Sequence, residues 1–143
     1  MGAVHSILKS KGSTIFSISP FTSVYNALEM MVEKNVSSLV VMENEKLIGI
    51  FTERDYARKV ILKGKSSRDT PIGEIMSVNV ITVTPASTID DCMGLMTDKF
   101  IRHLPVVEND KLIGLISIGD VVKYIIEEQK FIIKNMEHYI GGT

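Results

Sequence analysis

The chain has 143 residues, a formal net charge of −1, 45% apolar and 23% charged residues, the balance of a globular domain rather than a disordered or fibrous chain. That charge gives no field to gather nucleic acid or an anionic membrane, and no apolar run approaches the ~18 residues that span a bilayer. The single cysteine, Cys92, excludes an internal disulfide and fits a reducing compartment, expected to be the cytoplasm.

Residues 1–12 lack the long apolar core of a secretory signal and read as a short helix or arm. Met1-Gly2-Ala3-Val4-His5-Ser6 loosely matches an N-myristoylation pattern, but no polybasic segment stands beside it. Beyond the arm, laying residue n on residue n+65 aligns the chain with itself without a gap. Pro20 falls on Pro85, Met31 on Met96, Glu43-Asn44 on Glu108-Asn109, Lys46-Leu47-Ile48-Gly49 on Lys111-Leu112-Ile113-Gly114, and Asp55 on Asp120. Two copies of about 50 residues are each too small to bury a core alone and should pack on one another about a pseudo-two-fold axis.

Within each copy the elements follow one order. Ile15–Ile18 and Val80–Val83 are short β-rich segments stopped by Ser19-Pro20 and Thr84-Pro85. Thr22 or Ser23, and Ser87 or Thr88, then start helices whose apolar faces carry Val24, Ala27, Leu28, Met31 and Ile89, Cys92, Met93, Met96. Ser38–Met42 and Leu104–Val107 are continuous apolar runs of buried strands. Polar turns at Glu43–Lys46 and Glu108–Lys111 lead into second strands, which predicts two antiparallel hairpins. Helices follow, from Glu53 to about Lys63 and from Ile118 onward. The class is therefore α/β (α+β), with two β-α-β-β-α repeats: an arm over 1–12, repeats over 13–65 and 80–127, a linker over 66–79 and a helical extension over 128–143. In that extension Ile125, Ile126, Gln129, Ile132, Ile133, Met136 and Ile140 form an apolar stripe with no partner in its own copy, which favours a second subunit over folding back.

Both hairpins end in the pattern hydroxyl-x-x-Asp at a helix start: Thr52-Glu53-Arg54-Asp55 and Ser117-Ile118-Gly119-Asp120. As capping boxes, these residues satisfy the first N–H groups of the helix for about 1 kcal/mol each. The same geometry suits a nucleotide: free N–H groups and a hydroxyl for phosphate, an Asp to accept both ribose hydroxyls, and apolar strands around Ile50 and Leu115 as walls for a base. Gly49 and Gly114 mark close approach of something, either a ligand or the other half. The copies differ in charge. Arg102-His103 precede the second strand pair, where copy one has Ser37-Ser38, and copy one instead carries Arg54 in its corner and Arg58 one turn on. Arg102 and His103 suit a phosphate at the second corner, which is the better equipped of the two.

The repeated Leu-Ile-Gly-x-x-(Thr/Ser)-x-x-Asp ending and the Arg102-His103-Leu104-Pro105 segment resemble the cystathionine β-synthase (CBS) domain, and two copies in tandem resemble a CBS pair, or Bateman module. Thr52–Lys59, Gly64–Ser67, Arg102–Val106 and the tail His138-Tyr139-Ile140-Gly141-Gly142 are similar to stand-alone CBS-pair proteins of bacteria and plant organelles. The resemblance implies binding of AMP, ADP, ATP or NAD(H), with S-adenosylmethionine less favoured, in clefts between the repeats and with no metal required. It maps the ribose contact onto Asp55 and Asp120, and the phosphate contacts onto Thr52, Ser117, Arg102 and His103, with Pro105 in the same motif. Copy one lacks a basic residue at Ser37-Ser38, so its phosphate contacts would fall to Arg54 or Arg58. A homodimer through CBS-pair packing and the C-terminal helix, and a regulated partner protein, are implied too.

Against catalysis stand the absence of an HExxH motif, a paired metal-ligand cluster or a Walker loop, and the place of Cys92 on a core-facing helix stripe. The expected function is a non-catalytic sensor of energy or redox state, acting on a partner and touching neither nucleic acid nor membrane. A ligand-free dimerisation scaffold is the alternative.

Overall fold

The computed structural model describes residues 2–141. Met1 of the acylation-like pattern and Gly142 of the tail motif lie outside the described residues. In order, the elements are α1 (Val4–Lys11), β1 (Ser17–Ile18), α2 (Val24–Lys34), β2 (Ser38–Glu43), β3 (Lys46–Thr52), α3 (Glu53–Asp55) running on into a π-helical stretch (Tyr56–Ile61), α4 (Ile72–Ile75), α5 (Ile89–Asp98), β4 (His103–Glu108), β5 (Lys111–Ser117) and α6 (Ile118–Ile140).

The two hairpins repeat to the residue. Ser38 pairs with Thr52 and His103 with Ser117, and both ladders shift register at one place, between Val41 and Met42 and between Val106 and Val107. Both turns use two left-handed residues, Asn44-Glu45 at φ 52° and 63° and Asn109-Asp110 at the same values, which match the twist of a tight hairpin and which Asn and Asp tolerate best. Ser23 and Thr88 cap α2 and α5, accepting from the N–H groups of Asn26 and Asp91.

The copies diverge at their first strand. β1 pairs parallel with β2 through Ser17 and Ile18, whereas the expected strand at Val80–Val83 shrinks to a single bridge between Val83 and Val106. Pro105 is the reason. Its counterpart Val40 donates its N–H to Phe16 O at 3.4 Å, and proline has no N–H to offer.

Each repeat is closed by the segment that precedes the other. Ile72 and Ile75, in the linker, join Val24, Leu39, Phe51 and Val60 in the core of repeat one. Val4 and Ile7, in the arm, join Ile89, Leu104, Ile116 and Val121 in that of repeat two. The attachments match: Val24 N–H to Thr70 O (2.9 Å) and Ile72 N–H to Thr22 O (2.8 Å) in one, Ile89 N–H to Gly2 O (3.1 Å) and Val4 N–H to Ser87 O (2.9 Å) in the other. The strand glycines have their explanation here. A Cβ at Gly49 would lie 2.6 Å from Met76 Sδ, and one at Gly114 would lie 2.6 Å from Leu8 Cδ2. What approaches these strands is linker and arm, neither a ligand nor the other repeat.

α6 outruns the body. Val121 is buried and Ile125 packs against the core of repeat two, but Ile126, Ile132, Ile133, Met136 and Ile140 remain exposed on the free helix. No helix among the described residues is long and apolar enough to cross a membrane.

Candidate functional site

The hydroxyl-x-x-Asp corners form where a strand passes into a helix with no loop between. At the first, Thr52 Oγ1 accepts from Asp55 N–H at 3.2 Å while Asp55 Oδ2 accepts from Thr52 N–H at 3.0 Å, so the capping box is complete. At the second, Ser117 Oγ accepts from Asp120 N–H at 3.1 Å and Asp120 Oδ2 accepts from Ser117 N–H at 2.8 Å. Capping therefore operates at both corners. The question is how much of each carboxylate remains.

Asp55 has nothing to spare. Besides Thr52 N–H, its Oδ2 accepts from Thr52 Oγ1 (3.2 Å), and its Oδ1 accepts from Ser77 Oγ (2.9 Å) and from Lys59 Nζ (3.0 Å). The carboxylate is buried, its side chain 8% exposed. Lys59 also donates to Ile75 O at 3.1 Å, and Ser77 pairs with Ile50 through both backbone groups (3.0 and 2.9 Å). The first corner is a closed network tying strand, helix and linker together.

Asp120 is different. Position 124, where repeat two would place its counterpart of Lys59, is Tyr124, so no cation comes from its own helix. The ammonium comes from the arm: Lys11 Nζ reaches Asp120 Oδ2 at 2.6 Å and Leu115 O at 2.9 Å. This pair is open to solvent, with side-chain exposures of 36% for Lys11 and 23% for Asp120. Among the described residues no donor reaches Asp120 Oδ1, which leaves one carboxylate oxygen free. Burial alone would raise the Asp120 pKa, but the Lys11 bond and the Ser117 amide outweigh it and hold the carboxyl below its ordinary value.

The basic residues fall unevenly. His103, half-buried at the start of β4, is hydrogen-bonded through Nε2 to Ser37 Oγ of repeat one at 3.0 Å, so it bridges the repeats beside the second corner. Burial lowers its pKa, the charges of Arg102 and Lys11 lower it further, and Asp120 opposes them. At neutral pH His103 is therefore an uncharged donor or acceptor. Arg102 is exposed on the same rim, and its carbonyl accepts from Ile118 N–H at 2.8 Å. Pro105 is buried within β4 and has the strand-shortening role described above. Of the copy-one basics, Arg54 reaches across to Phe100 O at 2.5 Å, a tie between repeats, and Arg58 is exposed one turn beyond the corner.

The structure thus gathers Arg102, His103, Ser117 and Asp120, with Lys11 and Ser37 added. Lys59 and Ser77 also escaped the sequence reading, although Lys59 stands at i+4 from Asp55 and so was visible as a helix pair. Lys11 had no such local sign. Cys92 is buried in the core of repeat two with its thiol pKa raised, first by burial and then by Asp91. It is not an activated nucleophile. No group of three His, Cys, Asp or Glu side chains poised for a metal occurs among the described residues.

The CBS-domain family model matches residues 12–62 and again 72–127. The chain belongs to the CBS-domain family. As a CBS pair it is similar to CBSX3, a mitochondrial CBS domain-containing protein of Arabidopsis thaliana, at 40% identity over 97% of this chain and 72% of the relative. It is also similar to a solved CBS-domain protein from Burkholderia ambifaria, described as a signal-transduction protein, at 48% identity and a TM-score of 0.86, covering 89% of this chain and 96% of that one. The fold extends to the CBS pair of MJ0100, solved with 5′-methylthioadenosine and S-adenosyl-L-methionine, at 24% identity and a TM-score of 0.77 over 90% and 98% of the two chains. CBS pairs are regulatory modules.

Proposed function

We propose that this CBS pair is a non-catalytic sensor that takes one adenine nucleotide (AMP, ADP, ATP or NAD(H)) at the second corner and reports energy or redox state to a partner protein. The observation that carries this is the contrast between the two carboxylates. Asp55 is saturated by Thr52, Ser77 and Lys59, whereas Asp120 keeps Oδ1 free beside Arg102, His103 and Lys11. A ribose needs an acceptor for its vicinal hydroxyls and a phosphate needs cations, and only the second corner offers both. MJ0100 was solved with two adenosine compounds, which supports the adenosine half of the ligand. The cluster of Lys11 and Arg102 disfavours the sulfonium and ammonium charges of S-adenosylmethionine and favours an anion. His103 to Ser37 and Arg54 to Phe100 bridge the repeats, so a ligand seated beside His103 would bias their packing to the extent that it prefers one arrangement. The exposed α6 stripe supports a homodimer through that helix.

Titration calorimetry with AMP, ADP, ATP, NAD(H), S-adenosylmethionine and 5′-methylthioadenosine tests this. One site per chain is expected, lost in Asp120→Ala at unchanged secondary structure. Asp55→Ala, by contrast, should lower the melting temperature by several degrees, since it strips a buried network of its acceptor. No heat with any of these compounds at millimolar concentration would leave the module a ligand-free dimerisation scaffold.

A further inference from the structure

Asp120 has its cation from outside its own repeat, and that cation is exchangeable. We propose that Lys11 is a counter-ion that changes partners at the second corner: it pairs with Asp120 in the free protein and passes to the anionic group of a nucleotide when the ribose hydroxyls take the carboxylate. This rests on nucleotide binding at Asp120 and adds the residue that selects for charge.

Four features of the geometry point to it. The Lys11 ammonium spends two donors, on Asp120 Oδ2 and Leu115 O, and keeps a third. Its ion pair is solvent-exposed on both sides, where such pairs exchange at little cost, whereas Lys59 ends on a buried carboxylate that also holds Ser77 and Thr52. Lys11 is the last residue of α1, and Gly12 follows at φ +89°, so no packed segment extends past it to pin the side chain. Finally, Arg102 lies on the same rim and both cations act on His103. A phosphate there would meet Arg102 first and give Lys11 a stronger acceptor than the one ribose removes. A nucleoside without phosphate would displace Lys11 and return nothing.

Lys11→Met, with Lys9→Met on the exposed side of the same helix as control, is titrated calorimetrically with adenosine and with AMP. Wild type and Lys9→Met should prefer AMP. In Lys11→Met adenosine should bind about fivefold tighter and AMP about fivefold more weakly, the range expected of an exposed ion pair made or lost. If both affinities equal those of wild type, Lys11 is only a tie for the arm and the exchange is wrong, while nucleotide binding stands. If both ligands gain alike, Lys11 is a plug that never reaches phosphate, which also overturns it. If neither ligand binds to either protein, nucleotide binding fails and the exchange falls with it. Lys11→Gln, uncharged but still able to bond Leu115 O, replaces the Met variant should the latter unfold.

Discussion

Ile7→Ala probes the arm, which precedes repeat one yet completes repeat two. Ile7 lies on α1 at 3% exposure, within the cluster of Val83, Ile89, Leu104, Ile116 and Val121. The substitution removes three carbons from a site enclosed on its inner side by strands and α5, which cannot collapse inward to refill it. Large-to-small changes of this kind cost about 2–5 kcal/mol, and a well-packed isoleucine falls near ~3. For a chain of this length that corresponds to a fall of roughly 6–12 °C in melting temperature. Ile75→Ala, the equivalent in the linker, is likewise 3% exposed in the core of repeat one and should cost as much. Val122→Ala on α6, 45% exposed, should stay within ~0.5 kcal/mol. Urea and thermal unfolding followed by circular dichroism measure all three. An Ile7→Ala variant no less stable than Val122→Ala would mean that repeat two closes without the arm.

Two further outcomes are expected. The lowered pKa of His103 means that between its folded value and ~6.5 the unfolded chain binds more protons, so stability rises with pH across that window and declines as pH drops from 7 through it. Melting temperatures from pH 7.5 to 5.5 should show this slope in wild type and less of it in His103→Gln; parallel profiles would remove His103 as its source. Ile133→Glu, placing a charge in the exposed α6 stripe, should convert a dimer to a monomer by sedimentation at unchanged helicity, and a wild-type chain that sediments as a monomer would end the self-association reading.

Mapping of ligand roles by resemblance treats Asp55 and Asp120 as equivalents, and their local chemistry is indeed the same capping box. Their difference arises one shell out. Lys59 sits four residues from Asp55, whereas the cation of Asp120 comes from 109 residues away in sequence. That distance also explains why the arm read as an appendage. Gly2 stands to Thr70, Val4 to Ile72 and Leu8 to Met76 in their attachments, an offset three residues longer than the repeat, so a gapless alignment passes over the correspondence.

What the sequence determined by itself is what local chemistry dictates. Asn44-Glu45 and Asn109-Asp110 turn the hairpins because they form short polar breaks between apolar runs and their backbones adopt positive φ. Thr52, Ser117, Ser23 and Thr88 start helices because a hydroxyl there meets an otherwise unpaired N–H. Tertiary structure alone decided which segment covers Gly49 and Gly114, why Pro105 costs repeat two its first strand pairing, and which corner keeps an unspent oxygen. Those outcomes depend on chain segments far apart in sequence meeting in one core, and no periodicity or spacing records which segment will arrive. The hydroxyl-x-x-Asp pattern could be written twice in the sequence, but only packing made Asp55 a structural knot and left Asp120 held by a lysine able to let go.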